Sequence, residues 1–317
     1  MARAAGDNTR LDDAARAGWL YYVAGNTQDE IARKLGVSRQ SAQRLVSLAV
    51  SERLIKFRLD HPIANCIRLS AALTDRFGLR LCEVVPTDPD APDLLAGVAA
   101  AAATEVEEML KSEDAKVIAL GTGRALKATV EQVPKMDCPQ HRLVSRLGNM
   151  MADGAATPYN ATIRLAERVG ARHYPFPLPV LSRDPEERAV LQRQESVRNT
   201  MALCGNADMT LVGVGQMDDT APLLVDGFLP GEELQELTRA GAVGEITSWV
   251  YDGDGQLIDC AFSRRVNSAP LAPADGKLVI AVSTGPAKLA ATRAALRGQL
   301  INGLITSESM AEQLLAE

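Results

Sequence analysis

Aromatic residues are scarce in this 317-residue chain, at 4%, and there are only three histidines. Five cysteines (Cys66, Cys82, Cys138, Cys204 and Cys260) are scattered without a CxxC pair. No zinc site is therefore legible, and no metal or cofactor is expected. The opening MARAAGDNTR lacks the apolar core of a signal peptide, and no apolar run reaches membrane-spanning length. The expectation is a cytoplasmic protein with reduced thiols and no membrane partner. No repeat or low-complexity tract occurs apart from the alanine-rich Val98 to Ala103, which reads as a good helix. An apolar fraction of 46% and a charged fraction of 23% are ordinary for a folded chain, so nothing points to disorder.

A net charge of −6 argues against a general nucleic-acid binder, but the charge is unevenly placed. Residues 1–60 hold ten Lys/Arg against seven Asp/Glu, and the remainder holds 24 against 33, giving +3 and −9. The length favours two domains, and the extended dipeptide His61-Pro62 marks the boundary between a small domain at 1–60 and a large one at 61–317. Only the small one tolerates a phosphate backbone easily, and so modest an excess calls for specific contacts and more than one copy per site.

Within the small domain, TQDEIARKLGVSRQSAQRLVS (Thr27 to Ser47) reads as a helix-turn-helix. Thr27 with Glu30 forms a capping-box pattern, Gly36 can end the helix in the left-handed conformation, and Ser38 is a good N-cap for the next one. On that second helix Ala42, Leu45, Val46 and Ala49 share one side, while Gln40, Gln43, Arg44 and Ser47 share the other. Gln suits an adenine edge and Arg a guanine edge in the major groove, so Arg39, Gln40, Gln43 and Arg44 are the candidate readers of double-stranded DNA. Thr27 and Ser38 complete the candidate DNA-contacting set. Residues 1–8 read as a loose polar end, followed by a support helix with Leu11, Ala14, Ala15, Leu20 and Tyr21 covering the motif. Trp19, Tyr21 and Tyr22 are expected to pack beneath it rather than stack on bases. RLIKFRLD alternates like an edge strand and would form a wing, with Lys56 and Arg58 meeting phosphates.

A helix from Asn65 to Phe77, whose Ile67, Leu69, Leu73 and Phe77 face either a second subunit or the large domain, leads into alternating strands and helices. The strands expected are LCEVV, KVIAL, RLVSRL, RHYPF, MTLVGV, ITSWVYD, KLVIAV and NGLIT. The helices fall at Pro92 to Leu110, Ala125 to Gln132, Asn160 to Val169, Pro185 to Leu203, Glu232 to Arg239 and Ala287 to Arg297. This is the pattern of an α/β domain with a mainly parallel, Rossmann-like sheet. Ligands bind such sheets beyond the strand carboxyl ends. Gly121, Thr122 and Gly123, with Arg124 opening the next helix, make a candidate anion site, and Lys288, one turn into the helix after VSTG, can face the same anion. The long loop RLGNMMADGAATPYN adds Asn149, Asp153 and Asn160 as candidate partners for hydroxyls.

The chain resembles the SorC/DeoR-type sugar-responsive transcriptional regulators over nearly its whole length. DEIARKLGVSRQSAQRLV, VIALGTGRAL, GAVGEI, YDGDGQ and the terminal AKLAATRAALRGQLINGLITSESMAEQLL carry the resemblance. It implies a winged helix-turn-helix joined to an effector domain resembling glucosamine-6-phosphate deaminase and ribose-5-phosphate isomerase, acting as a dimer or tetramer. It also implies a sugar-phosphate site at Gly121, Thr122, Gly123, Asn160, Asp252, Arg265 and Lys288. The chain departs from the family pattern at Asn149, Thr284 and Ser307, where glycine, glycine and aspartate are usual, so a polyol or a differently shaped sugar phosphate is an alternative ligand. The leading expectation is a ligand-controlled DNA-binding regulator, not an enzyme. A sugar-phosphate isomerase or deaminase fused to a DNA-binding domain is the rival, but His61, His141 and His173 lie away from the loops and only Asp153 and Glu245 could serve as its acid and base. A module whose helix-turn-helix makes only protein contacts is a third reading.

Overall fold

The computed structural model describes residues 2–52, 54–55, 63–91, 94–151, 154–157, 159–271 and 277–316. The chain separates into two compact units, Met1–His61 and Pro62–Glu317.

The first unit holds helices α1 (Ala2–Tyr22), α2 (Gln28–Leu35) and α3 (Arg39–Ser51). The Thr27 hydroxyl accepts from the Glu30 amide, and the Glu30 carboxylate accepts from the Thr27 amide at 2.8 Å, so both halves of the capping box form. Gly36 ends α2 at φ 66°, ψ 31° and donates its amide to Ala32, a conformation costly for any residue with a Cβ. Ser38 then caps α3 by accepting from the Ser41 amide at 3.1 Å. Ile31, Ala32, Ala42 and Val46 are buried with Ala17, and Leu20, Leu35, Val37 and Leu45 pack around them. Thr27→Ala is expected to lower stability by about 1 kcal/mol, the usual cost of losing such a cap, and urea unfolding measures it.

Two expectations are corrected here. The loose end is helical, since α1 begins at Ala2. Trp19, Tyr21 and Tyr22 are not packed beneath the motif, being 55%, 37% and 43% exposed. The reason lies in how closely α1 meets α3: Ala14 and Ala17 are fully buried, and a Cβ on Gly18 would lie 2.8 Å from that of Ala49. Alanine and glycine fill that interface, and rings do not fit. The expected wing with Lys56 and Arg58, the His61-Pro62 boundary and Asp153 lie outside the described residues.

In the second unit, β1 (Leu81–Val85), β2 (Val117–Leu120), β3 (Arg142–Met150), β4 (Arg172–Pro179), β5 (Met209–Gly213), β9 (Leu278–Val282) and β10 (Gly303–Ser307) form one parallel sheet. The order is β1-β10-β9-β5-β2-β3-β4. Each inner strand is apolar on both faces, as a sheet covered on both sides requires. Ile118, Leu120, Leu211, Ile280 and Val282 pack on one side with the helices Leu95–Leu110, Arg124–Gln132 and Ala161–Val169. Val212, Ala281 and Leu304 pack on the other with Ala64–Phe77, Leu289–Arg297 and Glu308–Leu315. Leu69 and Leu73 of Ala64–Phe77 are buried in this second cluster, so that helix lies on the large unit, with Ile67 left 54% exposed.

Two further expectations change. ITSWVYD is not one strand but a hairpin, β7 (Gly244–Ile246) and β8 (Trp249–Tyr251), which joins β6 (Gly215–Gln216) in a small antiparallel sheet. Its turn residues, Thr247 and Ser248, have φ values of 50° and 69°, the signs of a type I′ turn but without the glycine or asparagine that would announce it. Pro185 to Leu203 is two helices, Pro185–Leu191 and Glu195–Gly205. The first buries nothing, while the second buries Val197, Thr200 and Cys204 near β3 and β4, so tertiary packing overrides a continuous helical pattern.

Candidate functional site

The direction of winding reverses between β2 and β5. From β2 the chain moves outward to β3 and β4; from β5 it moves the other way to β9 and β10. At such a switch point the loops leaving two adjacent strands diverge and open a crevice beyond their carboxyl ends. A cavity of about 340 Å³ lies there.

Its floor is two strand-to-helix junctions. After β2, the Gly121 amide donates to Leu211 at 2.8 Å, continuing the pairing with β5 by one residue, and Gly123 (φ 113°) opens the helix Arg124–Gln132 with no side-chain cap. The first-turn amides of a helix have no intrahelical acceptors and carry the positive end of its dipole. After β9, Gly285 (φ 97°) leads through the 3-10 turn Pro286–Lys288 into Leu289–Arg297. The Thr284 hydroxyl donates to Ser307 at 2.8 Å, so two of the departures from the family pattern satisfy one another.

The remaining wall comes from the 217–229 segment and the β7–β8 turn. Arg124 donates to Asp226 at 2.8 Å, Tyr159 donates to the same carboxylate oxygen at 2.9 Å, and the guanidinium lies 5.5 Å from the Tyr159 ring centre. Asp226 therefore ties the wall to the helix that the glycine turn starts. Burial pushes the Tyr159 phenol up, and the hydrogen bond it gives to Asp226 adds to this. Glu245 accepts from the Ser248 amide at 2.8 Å, which holds the strained turn. Burial raises its carboxyl above the usual carboxylate range, against the Ser248 amide and the Lys288 ammonium, which pull it down; Asp226 pushes it further up. The cavity thus pairs two cations, Arg124 and Lys288, with two carboxylates.

Of the residues expected at the site, Thr122, Gly123, Arg124 and Lys288 line this cavity; Gly121, just after β2, does not. Asn149, Asn160, Asp252 and Arg265 do not line it. The Asn149 carbonyl accepts from Thr157, closing its own loop, and Asn160 precedes the helix Ala161–Val169 with its carbonyl bonded to Arg164. Asp252 accepts from the amides of Asp254 and Gln256 inside its own turn. Arg265 is ion-paired with Glu233 and lies 5.9 Å from the Phe262 ring. Tyr159, Gln216, Asp226, Thr247 and Ser248 line the cavity without having been expected. They come from loops and from the short strand β6, whose approach is set by tertiary packing, and only Tyr159, next to Asn160 in the long polar loop, carried a sequence signal. Among the described residues, no cluster of three or more His, Cys, Asp or Glu could hold a metal ion.

In the first unit, Gln40, Gln43, Arg44 and Ser47 are all exposed along α3, opposite buried Ala42, Val46 and Ala49. Arg39 is exposed and lies 3.5 Å from Asp29. Such a pair is worth little in water and leaves the side chain available.

Residues 61–316 match the Sugar-bind family, a sugar-binding domain. The chain belongs to that family. It is 33% identical over 304 residues to the erythritol catabolism regulatory protein EryD of Brucella abortus, covering 96% of each chain. It is 30% identical to the transcriptional regulator LsrR of Klebsiella pneumoniae, covering 95% of this chain and 92% of that one. Among solved structures, the full-length sorbitol operon regulator SorC of Klebsiella pneumoniae superposes with a TM-score of 0.71 at 25% identity, over 96% of this chain and 99% of that one. The SorC/DeoR resemblance therefore holds, and the chain is a transcriptional regulator of this sugar-binding family. Its relatives are regulators, and the reading as an isomerase or deaminase gains no support from them. No helix among the described residues is long and apolar enough to cross a membrane.

Proposed function

We propose that the chain is an effector-controlled DNA-binding protein in which a phosphorylated sugar or polyol occupies the switch-point cavity. One observation carries this reading: a single chain combines an exposed amide- and arginine-bearing helix face with a cavity floored by two helix starts and a lysine. The phosphate would sit against the amides that follow Gly121-Thr122-Gly123, with the Thr122 hydroxyl and Lys288 as further donors. Helices α2 and α3 would act as a helix-turn-helix, completed by a wing over residues 53–60, with α3 in the major groove. The large unit would have the architecture of glucosamine-6-phosphate deaminase and ribose-5-phosphate isomerase, used for binding rather than turnover.

A charge excess of +3 over residues 1–60 favours a homo-oligomer, dimer or tetramer, that presents two reading helices about 34 Å apart or at a multiple of that spacing. Effector binding would shift the population of subunit arrangements that meet this spacing. By reciprocity, operator DNA then changes effector affinity by the same factor.

A gel-shift titration with sugar and polyol phosphates tests the coupling, and the proposal fails if none of them alters operator affinity. Replacing Gln40, Gln43 or Arg44 by alanine is expected to relax preference at one base position by about 1–3 kcal/mol, whereas Lys56→Ala is expected mainly to flatten the salt dependence. Binding selections at two salt concentrations separate the two effects.

A further inference from the structure

Two residues lining the cavity carry buried polar atoms without a partner, Gln216 Oε1 and Thr247 Oγ1. Buried polar atoms are nearly always bonded, and leaving one unbonded costs stability. Neither atom is free to find a partner elsewhere. The Gln216 amide nitrogen donates to the Thr220 carbonyl at 3.2 Å and to its hydroxyl at 3.1 Å. A carbonyl can only accept, so the nitrogen is fixed on that side and the oxygen on the other. Thr247 is 6% exposed; its carbonyl accepts from the Ser268 hydroxyl at 2.7 Å, and its methyl packs toward Gly121, 3.2 Å from where a Cβ would stand there. Both groups are thus held rigidly beside the turn that opens the helix Arg124–Gln132. Thr247 is held there despite a φ of 50°, which a β-branched residue adopts only at a cost.

We infer that Gln216 and Thr247 are specificity-determining residues that read the hydroxyl-bearing chain of the effector. The inference rests on the reading of the cavity as the effector site and specifies its ligand class. Gln216 Oε1 only accepts, and so does the Glu245 carboxylate while ionised; the Thr247 hydroxyl accepts or donates. Gln216, which can offer only an acceptor there, and Thr247, whose hydroxyl can accept, line the cavity with the Glu245 carboxyl. Acceptors at these places favour a ligand that offers hydroxyl hydrogens, a polyol or sugar chain, over one that presents a carboxylate. Hydrogen-bonding sites reject analogues lacking the matching group strongly, because their own buried groups are then left unpaired.

The test is calorimetry on the full chain with inorganic phosphate, erythritol phosphate, sorbitol phosphate and phosphogluconate as probes. In the unaltered protein a polyol phosphate should bind at least tenfold tighter than inorganic phosphate and tighter than phosphogluconate. Thr247→Val, which keeps shape and removes the hydroxyl, and Gln216→Met, which keeps length and removes the amide together with its bonds to Thr220, should each weaken the polyol phosphate about tenfold or more and leave inorganic phosphate unchanged. Thr247→Ser, which keeps the hydroxyl, should restore binding. Unchanged phosphate binding also shows that a variant is folded, and if one variant does not fold the other decides. If both folded variants bind the polyol phosphates like the parent, or if the parent binds phosphate but no polyol phosphate more tightly, the inference is overturned while the anion site stands. If the parent binds none of the four probes, the proposed function fails and the inference with it.

Discussion

Lys288→Met is expected to weaken an anionic effector about ten- to a hundredfold, the loss of one charge-assisted hydrogen bond worth roughly 1.5–3 kcal/mol. Lys288 stands in the 3-10 turn Pro286–Lys288, before the helix Leu289–Arg297, where a cation opposes the helix dipole. That position costs rather than stabilises unless an anion or carboxylate lies in front of it. The Glu245 carboxyl answers part of that charge. The companion variant therefore has the opposite sign: measured at a pH above the raised titration range of that carboxyl, Glu245→Gln removes a negative charge and should tighten phosphate binding, while its amide oxygen still accepts from Ser248. Arg124 contributes less, because Asp226 already holds its guanidinium at 2.8 Å. Calorimetric titration of the three proteins with a sugar phosphate gives the order directly. Equal affinities for the parent and Lys288→Met would place the anion somewhere other than this turn.

The parts of the molecule legible in the sequence are those whose signals are local. Thr27, Glu30, Gly36 and Ser38 announce the two short helices because capping depends on residues three or four apart. The strands of the parallel sheet are legible because they are buried on both faces and read as short apolar runs. Gly121-Thr122-Gly123 is legible because a strand-to-helix turn needs small residues. The rest of the cavity was not, since Tyr159, Gln216, Asp226 and Thr247 reach it from segments spread over nearly ninety positions. Thr247 and Ser248 concealed a hairpin by taking a left-handed turn with residues that ordinarily favour strands or caps. The aromatics of α1 misled for a different reason. Size and hydrophobicity suggested burial, but the helix crossing is so close that only alanine and glycine fit.

Gly255→Ala is expected to destabilise the large unit by about 2–5 kcal/mol, combining about 1–2 for a left-handed backbone carrying a Cβ with about 1–3 for overpacking. Gly255 has φ 77°, and an added Cβ would lie 2.3 Å from the Ala294 carbonyl oxygen and 2.6 Å from the Gly298 Cα. Those atoms are backbone and cannot rotate away. The contact is mutual, since a Cβ on Gly298 would lie 2.6 Å from the Gly255 oxygen. YDGDGQ is thus a brace whose one end, Asp252, bonds the amides of Asp254 and Gln256, and whose other end seats against the carboxyl end of Leu289–Arg297. The opposite end of that helix follows Lys288 at the cavity, so the turn fixes the helix that presents the lysine without touching ligand itself. Two controls separate bracing from binding. Gly253→Ala, with open space around it and an ordinary φ, should leave the melting temperature within a degree or two. Asp252→Asn keeps an acceptor for both amides and should leave effector affinity unchanged. For a domain of this size each kcal/mol corresponds to about 2–4 °C, so Gly255→Ala should melt roughly 4–20 °C below the parent. A Gly255→Ala protein that melts with the parent would mean the helix Leu289–Arg297 is not held by this turn, and a loss of effector affinity in folded Asp252→Asn would return Asp252 to the binding site.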